Sequence, residues 1–315
     1  MNQTFQKIVG GVLAVTALMG LSACGSKTED NKADGKTYKV GIVQFVDDAS
    51  LNQIEAAIEA ELDAKATELG VKFDYTLYNG QADATTLNQI GAELVSKGVD
   101  LIVPIATPAV KIMQSATEDT EIPIVFSAVS DPVGAGIVDS LDAPGGRITG
   151  TSDALNTKGL LDLMLAQNPD TKTVGLLYSK SEDSSKQPLE DAKAYLESKG
   201  IRCVEKTGTT TDEVTSAVDA LIAEKVDAVF TPTDNTIMNS AAAVGEIFAE
   251  AGIPHYTGAD SFVTAGCFAT CGVNYTDLGT YTADMALEIL QGGAVPTFHV
   301  MDGGIITVNK ETAQK

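Results

Sequence analysis

Asp83–Ala109 reads DATTLNQIGAELVSKGVDLIVPIATPA, and Thr210–Thr236 reads TTDEVTSAVDALIAEKVDAVFTPTDNT. Each is a polar start, an amphipathic helix, Val-Asp, a short apolar run and then small polar residues. Val99-Asp100 recurs as Val226-Asp227, 127 positions further on. An interval that long implies a duplicated domain, not a short solenoid repeat. Two similar lobes facing each other make a cleft, and clefts between domains are where small ligands bind.

The match extends outward from this pair. VGI from Val40 is answered by VGL from Val174, and IPIVFSAV from Ile122 by IPHYTGAD from Ile253. Around these runs apolar strands alternate with helices. Strands are expected at Tyr38–Phe45, Val71–Tyr78, Asp100–Ile105, Ile122–Ser127 and Arg147–Gly150. In the second copy they fall at Thr173–Tyr178, Ile201–Lys206, Asp227–Thr231 and Pro254–Thr257. Helices fill the intervals, and the last interval of the second copy reads as one helix, Asn235–Ala251. Alternation of this kind means parallel sheets covered on both faces. The expected fold is α/β: two similar doubly wound parallel-sheet lobes joined by a multi-strand hinge. The tail, with a helix at Tyr275–Leu290 and strand-like FHVM and GGIITV, would cross between the lobes. Lobe 1 is expected over 37–151 plus 275–295, and lobe 2 over 152–274 plus 296–315.

Composition narrows the function. The chain has 315 residues, enough for two ordinary domains, and a formal net charge of −22. That charge argues against nucleic acid, which needs a basic face. Lys7 precedes a short apolar run ending in Leu21-Ser22-Ala23-Cys24, the pattern of a secretory signal peptide over 1–23. The run is short for a membrane span. SKTEDNKADGK, ending at Lys36, is polar enough to be a disordered tether over 24–36.

The three later cysteines, Cys203, Cys267 and Cys271, read as free thiols. On one strand, Cys267 and Cys271 would lie roughly 13 Å apart at about 3.3 Å per residue, too far for a disulfide. His255 and His299 stand alone, so no metal site is expected. No G-x-S-x-G, P-loop or dinucleotide fingerprint is present, and neither catalysis nor a cofactor is expected.

Ligands of open parallel sheets bind beyond the carboxyl ends of the strands. That rule selects the loops 44–50, 106–108 and 127–131 in the first copy. In the second it selects 178–185, 232–235 and 258–260. All are rich in Ser, Thr, Asp and Asn. Ser50, Thr107, Ser184 and Asp234 would each also serve as a helix cap with no ligand present. As a converging set they suit an amino-acid zwitterion. Hydroxyls and helix N-termini would take its carboxylate, and Asp131, Asp234 or Asp260 its ammonium.

At these loops the chain resembles the TrpX-type substrate-binding lipoproteins of ABC transporters. The carrying segments are VGIVQFVDDASLNQ (Val40–Gln53), DLIVPIATPA (Asp100–Ala109), SDPVGAGIVDSL (Ser130–Leu141), PGGRITGTSD (Pro144–Asp153), LLYSKSEDSSK (Leu176–Lys186), PTDNTI (Pro232–Ile237) and YTDLG (Tyr275–Gly279). The resemblance implies the type I periplasmic-binding-protein fold and uptake of an amino acid, with tryptophan, phenylalanine and tyrosine the best-supported ligands. Leu-Ser-Ala-Cys resembles the lipobox, which implies a lipidated Cys24 on the outer side of a bacterial cell membrane. An ABC permease and its ATPase are the implied partners, and a monomer is expected. Thr107, Asp131, Ser181, Glu182, Ser184, Asp234 and Asn235 match cleft-lining positions of the family. The loops add Gln44, Ser50, Tyr178 and Asp260. Family members often carry His-Pro where this chain has Asp48-Ala49. A sugar or nucleoside receptor of the same fold, a receptor presenting ligand to a signalling partner, and an enzyme on this fold remain open alternatives.

Overall fold

The computed structural model describes residues 35–140 and 146–315. The expected signal peptide, Cys24 and all but the end of the tether lie outside the described residues. Two six-stranded sheets form the framework. The first contains β1 (Thr37–Gln44), β2 (Lys72–Asn79), β3 (Leu101–Ile105), β4 (Ile124–Phe126), β5 (Ile148–Ser152) and β11 (His299–Val300), in the order β11-β5-β4-β3-β1-β2. The second contains β6 (Thr173–Tyr178), β7 (Arg202–Thr207), β8 (Ala228–Thr231), β9 (His255–Thr257), β10 (Ala269–Val273) and β12 (Gly303–Val308), in the order β12-β10-β9-β8-β6-β7. Apart from the outermost strands, the two orders are the same pattern. The repeat in the sequence is therefore a repeat of topology. β12 breaks the otherwise parallel arrangement by running antiparallel to β10.

Ten α-helices lie among the described residues. In the first lobe they are α1 (Ala49–Leu69), α2 (Ala84–Lys97) and α3 (Thr107–Ala116). The second lobe has α4 (Thr157–Gln167), α5 (Lys186–Ser198), α6 (Thr211–Ala223), α7 (Asn235–Met238), α8 (Ala241–Glu250) and α9 (Asp260–Thr264). α10 (Tyr275–Leu290) returns to the first lobe and packs along α1. The inner strands β3, β4 and β5 are buried throughout, as two covered faces require. α10 fits so close to α1 because Gly279 has no side chain: a Cβ there would lie 2.5 Å from the Ile54 carbonyl oxygen. A buried hydroxyl cluster fastens α10 to the sheet, with Thr282 Oγ1 at 2.9 Å from Ser127 Oγ and 2.7 Å from Thr151 Oγ1.

The chain crosses between lobes three times, at 153–156, at Asn274 and at Met301–Asp302. The last crossing corrects an expectation. Segment 296–315 was assigned whole to the second lobe, but His299–Val300 pairs with Thr151–Ser152 and extends the first sheet. A second correction concerns Asn235–Ala251, which forms two helices. Ser240 N donates to Ile237 O at 2.9 Å, closing the first after one turn. Asn239 and Ser240 are poor helix-interior residues because their side chains compete for backbone groups. Cys267 precedes β10 instead of sharing a strand with Cys271; both are buried free thiols.

Candidate functional site

The carboxyl ends of both sheets face one cleft. From the first lobe it is lined by Asp48, Ser50, Leu51, Ala106, Thr107 and Ala128, with Asp153 and Tyr275 beside two crossings. From the second come Ser184, Thr233, Asp234, Asn235, Met238, Ala259, Ser261 and Phe262. The enclosed volume is ≈ 30 Å³, room for about one or two waters. An organic ligand therefore enters by separation of the lobes about the three crossings.

Polar contacts link the lobes across the cleft and at its rim. Ser50 Oγ donates to Asp260 Oδ1 at 2.6 Å and accepts from Ser261 N at 3.2 Å. At the rim Lys111 of α3 forms an ion pair with Asp183 of the second lobe. Asp183 also takes Lys186 at 2.5 Å.

Helix capping does not account for the cleft hydroxyls. The cap of α1 is Asp48, not Ser50: its Oδ1 accepts from Ser50 N at 2.9 Å and Leu51 N at 3.1 Å. The cap position of α3 is Ala106, and Thr107 is the first helical residue. Ser184 lies inside the 3-10 turn Asp183–Ser185, donating to Thr233 O at 2.8 Å. Only Asp234 caps, accepting from Ile237 N at 2.9 Å. Three cavity-lining residues each carry a buried polar atom with no hydrogen-bond partner among the described residues: Asp48 Oδ2, Thr107 Oγ1 and Thr233 Oγ1. Orphaned buried polar atoms are costly, and a ligand's polar ends would relieve all three. Ala106 (φ 77°) and Ala128 (φ 55°) add left-handed backbone at the same wall, strain of a kind that concentrates at binding sites.

The expected site residues divide. Ser50, Thr107, Ser184, Asp234 and Asn235 line the cavity. Glu182 stands behind it, accepting from Asn235 Nδ2 at 3.1 Å and Ser184 Oγ at 3.1 Å. Asp260 reaches it through Ser50. Four residues are not brought to the cavity. Gln44 is turned to Asn52 at 2.6 Å, Asp131 accepts from Gly134 N at 2.8 Å, Tyr178 donates to Glu205 at 2.7 Å, and Ser181 pairs with Ser179 at 2.8 Å. Asp48, Asp153, Ser261, Phe262, Met238 and Tyr275 were missed. Asp153 and Tyr275 sit where the chain changes lobes, and only the hinge brings them together.

Burial governs the site's charges. It pushes the carboxyl groups of Asp48, Asp153 and Asp234 up. Glu182 is pushed up to about 7, first by burial and then by the charge of Asp234. Tyr275 is raised well above the usual phenol range by burial and by Asp153, Asp260 and Asp48. No Lys, Arg or His lines the cavity. Among the described residues, no cluster of His, Cys, Asp and Glu is arranged to hold a metal ion.

Two parallel-sheet lobes, a three-stranded hinge and a polar cleft at the strand ends define a solute receptor that closes on its ligand. The chain belongs to the ABC transporter substrate-binding protein family, whose profile matches residues 39–315. It is a family of binding proteins, not enzymes. A "Tyrosine-binding protein" of Clostridioides difficile (strain R20291) is 35% identical over 311 residues, covering 97% of this chain and 89% of the relative. A Streptococcus pneumoniae ABC domain solved with L-Trp is 35% identical over 89% of this chain and 94% of that one, with a TM-score of 0.81. A ligand-free, open substrate-binding protein of Clostridium difficile, also 35% identical and covering 88% and 94%, superposes less well, with a TM-score of 0.68. At equal identity this protein as a whole superposes better on the L-Trp complex than on the open form.

Proposed function

We propose that this protein binds an aromatic amino acid (tyrosine, tryptophan or phenylalanine) between its lobes and delivers it to an ABC permease driven by its ATPase. The observation that carries the reading is the set of orphaned polar atoms, Asp48 Oδ2, Thr107 Oγ1 and Thr233 Oγ1, on residues that line one cavity together with the apolar Leu51, Met238 and Phe262. Polar groups from both lobes suit the two charged ends of an amino acid, and the apolar group suits its ring. The two 35% relatives named for tyrosine and L-Trp support the aromatic class. The receptor works as a monomer on the outer face of a bacterial membrane, held through a lipidated Cys24. Among the described residues no helix is long and apolar enough to cross a membrane.

Mass spectrometry of small molecules released by denaturing the purified protein tests the ligand class. An aromatic amino acid at near-equimolar amount is the expected result, and a sugar or nucleoside would overturn the reading. The rim pair makes a smaller prediction. Its Lys111 side chain is 44% exposed, and exposed pairs contribute only about 0.2–1 kcal/mol. Lys111→Met is therefore expected to speed L-tyrosine release about two- to fivefold in stopped-flow dissociation, an effect that added salt erases in the wild type.

A further inference from the structure

Building on the aromatic-amino-acid reading, we propose that the cleft holds its ligand chiefly by the amine and therefore also takes aromatic monoamines, the decarboxylated counterparts of those amino acids. The argument is charge balance. Asp48, Asp153 and Asp234 line the cavity, and no Lys, Arg or His does. Lys111, whose ion pair bridges the lobes, is engaged by Asp183. A carboxylate entering this space finds no cation to offset its charge, whereas an ammonium is paired by these carboxyls and favours their ionised form.

The hydrogen bonds identify which carboxylates are free to act. Asp234 is spent on the fold: its Oδ2 accepts from Ser179 N and Ser185 Oγ, both at 2.7 Å, and its Oδ1 from Ile237 N. Asp48 takes the Ser50 and Leu51 amides on Oδ1 and lies beside the Ser261 side chain, while its Oδ2 is buried without a hydrogen-bond partner. Asp153, 5% exposed, accepts from Ser130 Oγ at Oδ1 at 3.0 Å and from the buried Tyr275 hydroxyl, which leaves acceptor capacity on the carboxylate for one further donor. A second observation is independent of the acids. Thr107 is 3% exposed, lines the cavity and leaves Oγ1 unpartnered. That hydroxyl accepts an N–H as readily as it donates. An ammonium has three donors, and Asp48, Asp153 and Thr107 supply three acceptors of the required kind. For the ligand's carboxylate the cavity offers only neutral hydroxyl, amide and backbone donors.

Calorimetric titration of the full chain with L-tyrosine, tyramine and 3-(4-hydroxyphenyl)propionate separates the two ends of the ligand. Tyramine is expected within about tenfold of L-tyrosine, and the deaminated acid at least about 100-fold weaker than either, a gap of about 2.7 kcal/mol. Asp153→Asn, which keeps the size and the Ser130 contact, is expected to weaken tyramine and L-tyrosine alike by about 100-fold. Binding of L-tyrosine without tyramine, or of the deaminated acid as tightly as tyramine, overturns the inference and leaves the proposed function standing. Binding of neither tyramine nor any of the three aromatic amino acids overturns both.

Discussion

The Asp234→Ala variant is expected to melt about 10 °C below the wild type, the equivalent of roughly 3–5 kcal/mol in a lobe of this size. Asp234 looks like a ligand contact, since it lines the cavity, but its oxygens tie three segments together. Ser179 N at the end of β6, Ser185 Oγ after the 3-10 turn and Ile237 N in α7 all donate to it. Removing the carboxylate leaves buried donors unpaired, and that is more costly than the net worth of the bonds themselves. Asp131→Ala is the comparison. Among the described residues its side chain has one hydrogen bond, which closes a turn to Gly134 N at an exposed position, so its midpoint is expected to move no more than about 2 °C. Calorimetric melting measures both. An Asp234→Ala protein that melts like the wild type would show that the residue serves the ligand instead of the fold.

Glu182→Gln is expected to change how stability depends on pH. The carboxyl of Glu182 is pushed from 4.5 up to about 7 by burial and then by Asp234. The folded protein therefore holds this proton more tightly than the unfolded chain does. Its stabilising share is complete below pH 4.5 and is lost as pH rises through about 7. Above that range the wild type carries a buried charge that glutamine lacks. The variant is expected to gain roughly 2–3 kcal/mol on the wild type between about pH 5 and pH 8.5. His255 acts in the opposite sense: burial pushes it from 6.5 down to about 3, so its share is full above 6.5 and falls as the pH drops. It is common to both proteins and cancels in the difference. Urea unfolding at a series of pH values makes the measurement, and parallel curves for the two proteins would refute the assignment.

The two-lobed fold was legible because its signal is periodic. Apolar strands and amphipathic helices recur at near-constant spacing, and the second sheet repeats the strand order of the first. Local chemistry was harder to read. Ser50, Thr107 and Ser184 resemble caps in sequence, yet Asp48 and Ala106 take the cap positions of α1 and α3, and Ser184 lies within a 3-10 turn. A shift of one or two residues turns these hydroxyls toward the cleft. α9 has five residues, too few for periodicity to register, so Ser261 and Phe262 went unseen. Asp153 and Tyr275 are far apart in sequence and meet only because two crossings run side by side. The expected residues that do not line the cavity, Gln44, Asp131, Tyr178 and Ser181, have one thing in common. Gln44 and Tyr178 end strands, and Asp131 and Ser181 lie in the loops beyond strand ends, but in each case the side chain is hydrogen-bonded to a neighbour and does not line the cavity.

Titration calorimetry of the ligand-free chain with L-tyrosine, L-tryptophan, L-phenylalanine and D-ribose tests the central claim most directly, that the interlobe cleft is a receptor for an aromatic amino acid. The predicted result is one-to-one binding of at least one aromatic amino acid, with a dissociation constant of about 1 μM or below, and no heat with ribose. Heat with ribose and none with any of the three amino acids would contradict it.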